Sequence, residues 1–295
     1  MLKRTLCFTS PVTLSLKNGQ MVIIFKELPE EKHTVPIEDI GMVILDNQMT
    51  GVTLPLLNEL VDNGVAVVLC DKKGFPHALL QNLDANSLQG EILRNQTSVG
   101  EVLKKQLWKQ IVESKITNQA ALLEKLQGKG NLLKPFYSHV KSGDSDNREG
   151  IAARIYWQAL FGSDFVRDRY QEGINSLLNY GYAILRSATA RALVIAGLTP
   201  SLGLFHHHRS NAFPLADDMM EPYRPFVDEI VHQLCEEGKY EINKETKQAL
   251  LSCLTCDTHF PKVTRPLQVG LSMTMASLAR CYAGEQKTLS LPLLK

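Results

Sequence analysis

The hydrophobic pattern of this chain changes once, near Gly90, and that change limits the folds that the chain can adopt. Before it, apolar residues alternate with polar ones or form short β-branched runs, as in LSLKNGQMVIIF (14–25), GMVIL (41–45) and VAVVLC (65–70). Such runs are typical of strands. After it, apolar residues recur every three or four positions, as in helices. The sequence therefore predicts an α+β protein, with a small β-rich N-terminal domain over residues 1–85 and a larger all-α domain over residues 86–295.

Turn and helix signals place individual elements. Asn18-Gly19 predicts a hairpin turn between two strands, and PLLNELV (55–61) predicts a short helix that ends near Gly64. Helical spacing of apolar residues predicts a longer helix through Val102, Leu103, Leu107, Ile111, Val112 and Ile116. Further helices are predicted over residues 173–196, 244–254 and 266–282.

The composition excludes some classes of protein. The chain has 295 residues, of which 44% are hydrophobic and 21% charged, as in ordinary globular proteins. No apolar run is long enough to cross a bilayer, and the segment MLKRTLCFTSPVTL at the N-terminus lacks the apolar core of a signal peptide. We therefore expect a cytoplasmic protein with reduced cysteines and no membrane contact.

Arginine is concentrated in the second half of the chain. Ten of the twelve arginines lie at or after Arg148, although the net charge is only +1. Arginine makes forked contacts to phosphate, so this distribution is consistent with nucleic-acid binding. An arginine-rich helical surface explains it equally well.

The stretch NREGIAARIYWQALFG (147–162) predicts a helix that begins with a carboxylate in its first turn. Asn147 is a natural N-cap, and Glu149 follows two residues later. A carboxylate there can simply interact favourably with the positive end of the helix dipole, or it can be a metal ligand. On this stretch alone, the capping interpretation is favoured.

The stretch LGLFHHHRSNAFPLADDMMEPYRP (202–225) contains three consecutive histidines. Consecutive residues do not share a face of a helix, so HHH is a poor helical metal site. In an extended segment, His206 and His208 would share one side and His207 would lie opposite. This arrangement favours one imidazole delivered to a cleft.

Two carboxylates follow the histidines at helical spacing. If a helix begins near Asp217 or Asp218, then Asp218 and Glu221 project to the same side. They repel each other unless a cation or a basic residue compensates, but an acidic helix start is an equally good explanation. Histidine with carboxylates and without a nearby cysteine suits Mg²⁺ or Mn²⁺.

These motifs together resemble a known family. The elements N-x-E-G, A-A-R-x-Y-W, G-x-x-H and D-x-x-E-P-x-R-P occur in this order in the chain. This set resembles the CRISPR-associated spacer-acquisition integrase and endonuclease, the larger subunit of the CRISPR adaptation complex. The segment HHH…FPLADDMMEP is most similar in sequence to the type II version of that family.

The resemblance implies a set of site residues. Glu149, His206 and Glu221 would be the catalytic metal ligands, and Asp218 a supporting acidic residue. Gly203 places the G-x-x-H histidine at His206, whereas spacing counted back from Glu221 in shorter family members points to His208. Side chains beside these ligands are candidate DNA contacts: Arg148, His207, His208, Arg209 and Arg224.

The resemblance also implies a reaction and partners. The 3′-hydroxyl of a prespacer DNA would attack a phosphodiester at the repeat boundary of a CRISPR array, with Mg²⁺ or Mn²⁺ activating the hydroxyl. The protein would be a homodimer whose N-terminal domain serves dimerisation and partner contact. Its partners would be double-stranded DNA, the smaller CRISPR adaptation subunit and other type II CRISPR proteins.

Two other functions fit the same residues. A metal-dependent DNA nuclease that never joins strands needs the same phosphoryl-transfer site. A non-catalytic DNA-binding scaffold would use the acidic cluster only as a helix cap.

Overall fold

The computed structural model describes residues 3–83 and 85–295. Contacts between residues divide the chain into two compact units, with the boundary between Ala85 and Asn86. Strands dominate the first unit and helices dominate the second, which confirms the predicted α+β class.

The described part of the N-terminal unit contains one α-helix, a 3-10 turn at Ile37–Asp39, and two sheets. Its elements are β1 (Arg4–Phe8), β2 (Val12–Lys17), β3 (Gln20–Phe25), β4 (Leu28–Pro36), β5 (Ile40–Leu45), β6 (Gly51–Val52), α1 (Leu54–Asp62), β7 (Ala66–Cys70) and β8 (Pro76–Leu80). One sheet has the order β1-β5-β7-β8, parallel except for the β7–β8 pair. The other has the order β4-β3-β2-β6, antiparallel except for the β2–β6 pair.

Local sequence signals explain two features of this unit. Lys17 pairs with Gln20, and the intervening Asn18 and Gly19 both have positive φ, 51° and 69°. This is the backbone of a two-residue hairpin turn whose twist matches that of the strands, so the predicted turn is confirmed. The predicted short helix is also confirmed as α1, whose buried Leu56 and Leu60 belong to the core of this unit.

The second unit is a helical assembly with one small hairpin. Its elements are α2 (Gln89–Ser98), α3 (Glu101–Gln127), α4 (Lys134–Tyr137), α5 (Arg148–Phe161), α6 (Ile174–Ile195), α7 (Pro214–Met220), α8 (Arg224–Glu236), α9 (Lys244–Leu251), β9 (Asp257–Phe260), β10 (Val263–Pro266) and α10 (Leu267–Tyr282). A 3-10 turn, Glu221–Tyr223, joins α7 to α8.

The long helix α3 forms much of the core of the second unit. The predicted apolar positions Leu107, Ile111, Val112 and Ile116 are fully buried. Val102 was expected on the same face but is 72% exposed, because α3 has only just begun at that point and does not yet contact the core.

The structure corrects other expectations about this unit. The helix expected to begin near Asp217 or Asp218 begins at Pro214, because the fixed φ of proline suits the first turn of a helix. The antiparallel strands β9 and β10 lie in the domain that was expected to be all-α. They are four residues each, which is too short for an alternating pattern to show. Among the described residues, no helix has the length and apolar character needed to cross a membrane.

Candidate active site

A buried lysine lies at the centre of the candidate site. Lys115 is on the core-facing side of α3 and is only 7% exposed. Its ammonium contacts Glu149 Oε1 and lies 2.6 Å from Glu221 Oε2. Burial lowers the pKa of Lys115, but the charges of Glu221 and Glu149 outweigh that effect, and the pKa is raised. Lys115 is therefore a cation held between two carboxylates.

Glu149 reaches Lys115 because other side chains cap helix α5. Asn147 Oδ1 accepts a hydrogen bond from the N–H of Gly150 at 3.3 Å. Asp144 accepts hydrogen bonds from the N–H groups of Arg148 at 2.8 Å and Glu149 at 3.0 Å. The Glu149 carboxylate is thus not the cap of its helix. It points to Lys115, whose positive charge is the main cause of the lowered Glu149 pKa.

One buried carboxylate organises the histidine segment. Asp218 on α7 is fully buried, and its Oδ2 accepts hydrogen bonds from the N–H groups of Leu204 at 2.7 Å and Phe205 at 3.0 Å. Its Oδ1 lies 2.5 Å from His206 Nδ1. Because Nδ1 is engaged, Nε2 is the imidazole nitrogen that remains for another ligand.

Aromatic contacts fix the plane of the same imidazole. Trp108 and Phe205 stack face to face with ring centroids 4.4 Å apart. The His206 ring meets both edge-on, at 5.7 Å from Trp108 and 5.4 Å from Phe205. Trp108 is 2% exposed and is therefore a core residue.

Gly203 explains the spacing of the G-x-x-H motif. A Cβ at this position would lie 2.3 Å from the carbonyl oxygen of His206, 3.0 Å from Pro214 Cβ and 3.2 Å from Asp218 Oδ2. No side chain fits there without displacing the histidine segment. The structure thus brings His206 against Asp218, whereas His208 Nδ1 lies 2.8 Å from Ser210 Oγ.

Glu221 is the most enclosed of the candidate ligands. It is 5% exposed and begins the turn between α7 and α8. Its Oε1 lies 2.9 Å from Arg224 Nη2. Its Oε2 makes no hydrogen bond, although Lys115 Nζ is close enough for an ion contact. One buried oxygen of Glu221 is therefore incompletely satisfied.

A buried polar network extends from Arg224 into the core. The Arg224 guanidinium lies over the Tyr182 ring, 4.6 Å from its centroid. Asp228, which is 1% exposed, accepts hydrogen bonds from the hydroxyls of Tyr182 and of Tyr156, the latter at 2.8 Å. Burial raises the pKa of Asp228 to about 6, although these hydrogen bonds oppose the shift. Glu221 is thus supported by Arg224, which packs on Tyr182.

Asn118 ties the Glu221 turn to the last residues of the chain. It lies on α3 and is fully buried. Its Nδ2 donates hydrogen bonds to the carbonyl oxygens of Pro222 at 2.8 Å and Pro292 at 3.1 Å. Its Oδ1 accepts from the N–H of Leu294 at 3.1 Å. A single amide therefore joins three segments of the backbone.

The three candidate ligands share one region without forming a ready-made metal site. The charges of Glu221 and Glu149 add to the raised pKa of His206, whose main cause is the hydrogen bond to Asp218. Across residues 3–83 and 85–295, no three His, Cys, Asp or Glu side chains are close enough together to hold a metal ion. The imidazole and the incompletely satisfied oxygen of Glu221 nevertheless suit a divalent cation. The cation that lies between the two carboxylates in the structure is the Lys115 ammonium.

An arginine-rich cleft opens beside these residues. Its volume is about 690 Å³, and its lining includes Arg167, Arg169, Arg186, Arg224, His206 and Glu221. Arg167 is held by Asn175 at 2.9 Å and by Asn179 at 2.7 Å, which fixes its guanidinium at the cleft wall. The lining also contains two carboxylates, Asp217 and Glu221, so the four guanidinium groups leave an excess of positive charge that suits the binding of phosphate groups.

The predicted DNA contacts occupy different environments. Arg224 lines the cleft, and so does His208. His207 and Arg209 line a second cleft of about 420 Å³ together with His208 and Lys104. Arg148 binds Asp146 at 2.9 Å and is not among the residues that line either cleft.

Sequence reasoning missed Lys115 and three of the cleft arginines, Arg167, Arg169 and Arg186. A signal for Lys115 was present, because it interrupts the apolar face of α3 between Val112 and Ile116. A charged residue at such a position is rarely buried without a partner. The arginines had no comparable signal, since Arg167 and Arg169 lie in the irregular segment between α5 and α6 and only Arg186 lies on a helix, α6.

Comparison with known proteins identifies the class and then the family. A casposase bound to integration product has the same fold, with a TM-score of 0.79, 19% identity, and coverage of 98% of this chain and 93% of the other. A Cas6-RT-Cas1–Cas2 complex contains a chain that matches with a TM-score of 0.75 and 21% identity, over 99% of this chain and 36% of that longer one. These likenesses show the fold that Cas1 proteins and casposases share.

Sequence relationships are more specific. A CRISPR-associated endonuclease Cas1 from Neisseria meningitidis serogroup C (strain 8013) is 41% identical over 255 residues, which cover 85% of this chain and 83% of the relative. The family model described as CRISPR associated protein Cas1 matches residues 6–263. The chain belongs to the Cas1 family, which confirms the resemblance drawn from the motifs.

Proposed function

We propose that this protein is a Mg²⁺- or Mn²⁺-dependent DNA integrase and endonuclease that inserts new spacer DNA into a CRISPR array. One observation carries the proposal: Glu149 and Glu221 converge on a buried cation, and Glu221 and His206 both line an arginine-rich cleft. Two comparisons support the proposal: the chain belongs to the Cas1 family, whose curated relative is named an endonuclease, and it shares its fold with a casposase.

Glu149, His206 and Glu221 would hold the metal ion. The bound metal would polarise a phosphoryl oxygen and lower the pKa of the attacking hydroxyl. Asp218 contributes by accepting the Nδ1 hydrogen of His206, which presents Nε2 in a fixed direction. Arg224 contributes by holding Glu221 Oε1.

The cleft would position the DNA strands. Its guanidinium groups neutralise the phosphates that flank the reacting bond. The 3′-oxygen of the incoming strand forms a bond to phosphorus as the bond from phosphorus to the 3′-oxygen of the array strand breaks. The attacking hydroxyl loses a proton and the leaving 3′-oxygen gains one, so no covalent link to the protein is required.

The same comparison supports DNA and the smaller adaptation subunit as proposed partners. The neighbouring structures are a casposase with its integration product and a complex that contains Cas1 and Cas2. We expect this protein to be a cytoplasmic homodimer that binds double-stranded DNA, the smaller adaptation subunit and other type II CRISPR proteins.

A strand-transfer assay separates the possible functions. Labelled linear DNA with a free 3′-hydroxyl is incubated with Mn²⁺ and a supercoiled plasmid that carries repeats. Label joined to nicked plasmid supports integration, whereas shortened fragments without joined label support a nuclease that does not join strands.

The matched variants are Glu221→Ala and Glu113→Ala. Glu113 is on α3 and pairs with Lys109, and neither residue lines the cleft. Mutation of a residue that only orients a metal ligand typically lowers metal affinity or activity by ~10–100-fold. Loss of a ligand itself should cost more, so Glu221→Ala should lower the rate of joining by at least about 100-fold. Glu113→Ala should join DNA at the parent rate. Full joining by Glu221→Ala would leave a DNA-binding scaffold as the better interpretation of the acidic cluster.

A further inference from the structure

The ammonium of Lys115 occupies the position between carboxylates that a bound cation would need. We propose that Lys115 is an internal counter-ion of the metal-free site, which competes with the divalent ion and leaves Glu149 and Glu221 when that ion binds. This inference rests on the proposed function, because it presupposes that Glu149 and Glu221 bind a metal ion.

The first argument is geometric. Lys115 contacts an oxygen of each carboxylate and is nearly buried, so it closes the space between Glu149 and Glu221. The other oxygen of Glu221 is bound to Arg224. Both oxygens of Glu221 therefore face a basic group, and a metal ion can reach this carboxylate only if one of those groups yields.

The second argument concerns which group yields. Arg224 is braced by the Tyr182 ring, over which its guanidinium lies at 4.6 Å. In the part of the chain that the structure describes, the Lys115 ammonium contacts Glu149 and Glu221, and its contact to Glu221 Oε2 lacks hydrogen-bond geometry. A lysine side chain is also flexible and its ammonium hydrates strongly. Lys115 is therefore the cation that can be displaced.

The third argument is charge balance. Two carboxylates, Glu149 and Glu221, face two cations, Lys115 and Arg224, so these four groups are neutral together. A divalent ion would add two positive charges to a buried region, which is costly. Withdrawal of the Lys115 ammonium takes one positive charge out of this region, so the net gain is one positive charge. A DNA phosphate in the adjacent cleft can neutralise that remaining charge.

The test compares Mn²⁺ affinity in the full-length parent, Lys115→Met and Lys125→Met. Lys125 is the matched control, since it lies on the same helix and pairs with Glu229 outside the cleft. Isothermal titration should give a dissociation constant about tenfold or more lower for Lys115→Met than for the parent, because close charge pairs are commonly worth that much. Lys125→Met should match the parent.

Thermal unfolding supplies a second readout that does not depend on DNA joining. Metal-free Lys115→Met should melt below the parent, because its two carboxylates lose their shared cation. Addition of Mn²⁺ should raise its melting temperature more than that of the parent, since tighter binding to the folded state stabilises it more. If Lys115→Met does not fold, Lys115→Gln is measured with the same expectations.

The outcomes separate this inference from the proposed function. Equal or weaker Mn²⁺ binding by Lys115→Met overturns the competition by Lys115, while leaving a metal site in the parent. A Mn²⁺-bound structure of the parent in which Lys115 still contacts both Glu149 and Glu221 also overturns it. Absence of Mn²⁺ binding in both proteins overturns the proposed metal-dependent function itself.

Discussion

Gly203→Ala tests whether the position of His206 controls activity. The added methyl carbon would lie 2.3 Å from the carbonyl oxygen of His206, whereas ordinary contacts begin at 3.4 Å. The same carbon would lie 3.0 Å from Pro214 Cβ and 3.2 Å from Asp218 Oδ2, so it cannot move away from His206 in those directions. The histidine segment must therefore shift by about 1.1 Å, the difference between 3.4 and 2.3 Å. Because a misplacement of ~1 Å can cost ~10²-fold in rate, we expect joining to fall by about 100-fold.

The assay is the initial rate of strand joining at saturating Mn²⁺, with far-ultraviolet circular dichroism to verify folding. Gly100→Ala is the matched control, since a Cβ at Gly100 would meet nothing within 4 Å and its φ is −73°. The control should join DNA at the parent rate. The result that refutes the reasoning is a folded Gly203→Ala protein whose rate of joining is within threefold (roughly the scatter of such comparisons) of the Gly100→Ala rate. In that case the close approach at Gly203 does not position His206.

Other substitutions test the surroundings of the site. Burial raises the pKa of Asp228 to about 6, above the ~3.9 of a free aspartate, so the folded state favours the protonated acid. The free energy of unfolding of the parent relative to Asp228→Asn should then fall by about 2 kcal/mol as the pH rises from about 4 to about 6.5. Urea titrations that show a constant difference would contradict this. Phe205→Ala removes a ring that packs on the His206 imidazole. Since Phe205 is 46% exposed, joining should fall by about tenfold with a small change in melting temperature, and a large loss of stability with normal joining would reverse the interpretation. Arg169→Ala removes a cleft guanidinium and should reduce the slope of log affinity for DNA against log salt by about 1. Arg148→Ala loses only contacts outside the clefts and should keep the parent slope. The opposite result would favour the original prediction that Arg148 contacts DNA.

Local chemistry made much of the fold predictable. Asn18-Gly19 needs no more than its own backbone preferences to form a hairpin turn. The spacing of Leu107, Ile111 and Ile116 identifies the buried face of α3 because an isolated helix already has that face. The hairpin of β9 and β10 was missed because its strands are short and owe their place to contacts elsewhere in the unit.

The candidate site was less predictable because it joins distant segments. The motif order indicated Glu149, His206 and Glu221, and the Gly203 spacing has a steric reason that local sequence can show. The partner of the two carboxylates could not be found in this way. Lys115 precedes Glu149 by 34 positions, and only tertiary packing brings its ammonium between the carboxylates. Asp218 was expected to support the site, but its three backbone partners depend on the loop conformation.

The amide of Asn118 links the stability of the end of the chain to the shape of the site. Its hydrogen bonds hold Pro292 and Leu294 on one side and the carbonyl of Pro222, next to Glu221, on the other. Local opening of residues 292–294 would therefore leave polar atoms of a fully buried amide without partners. Fraying of this segment and loosening of the Glu221 turn thus belong to one cooperative unit, and whatever secures these last residues also secures the turn.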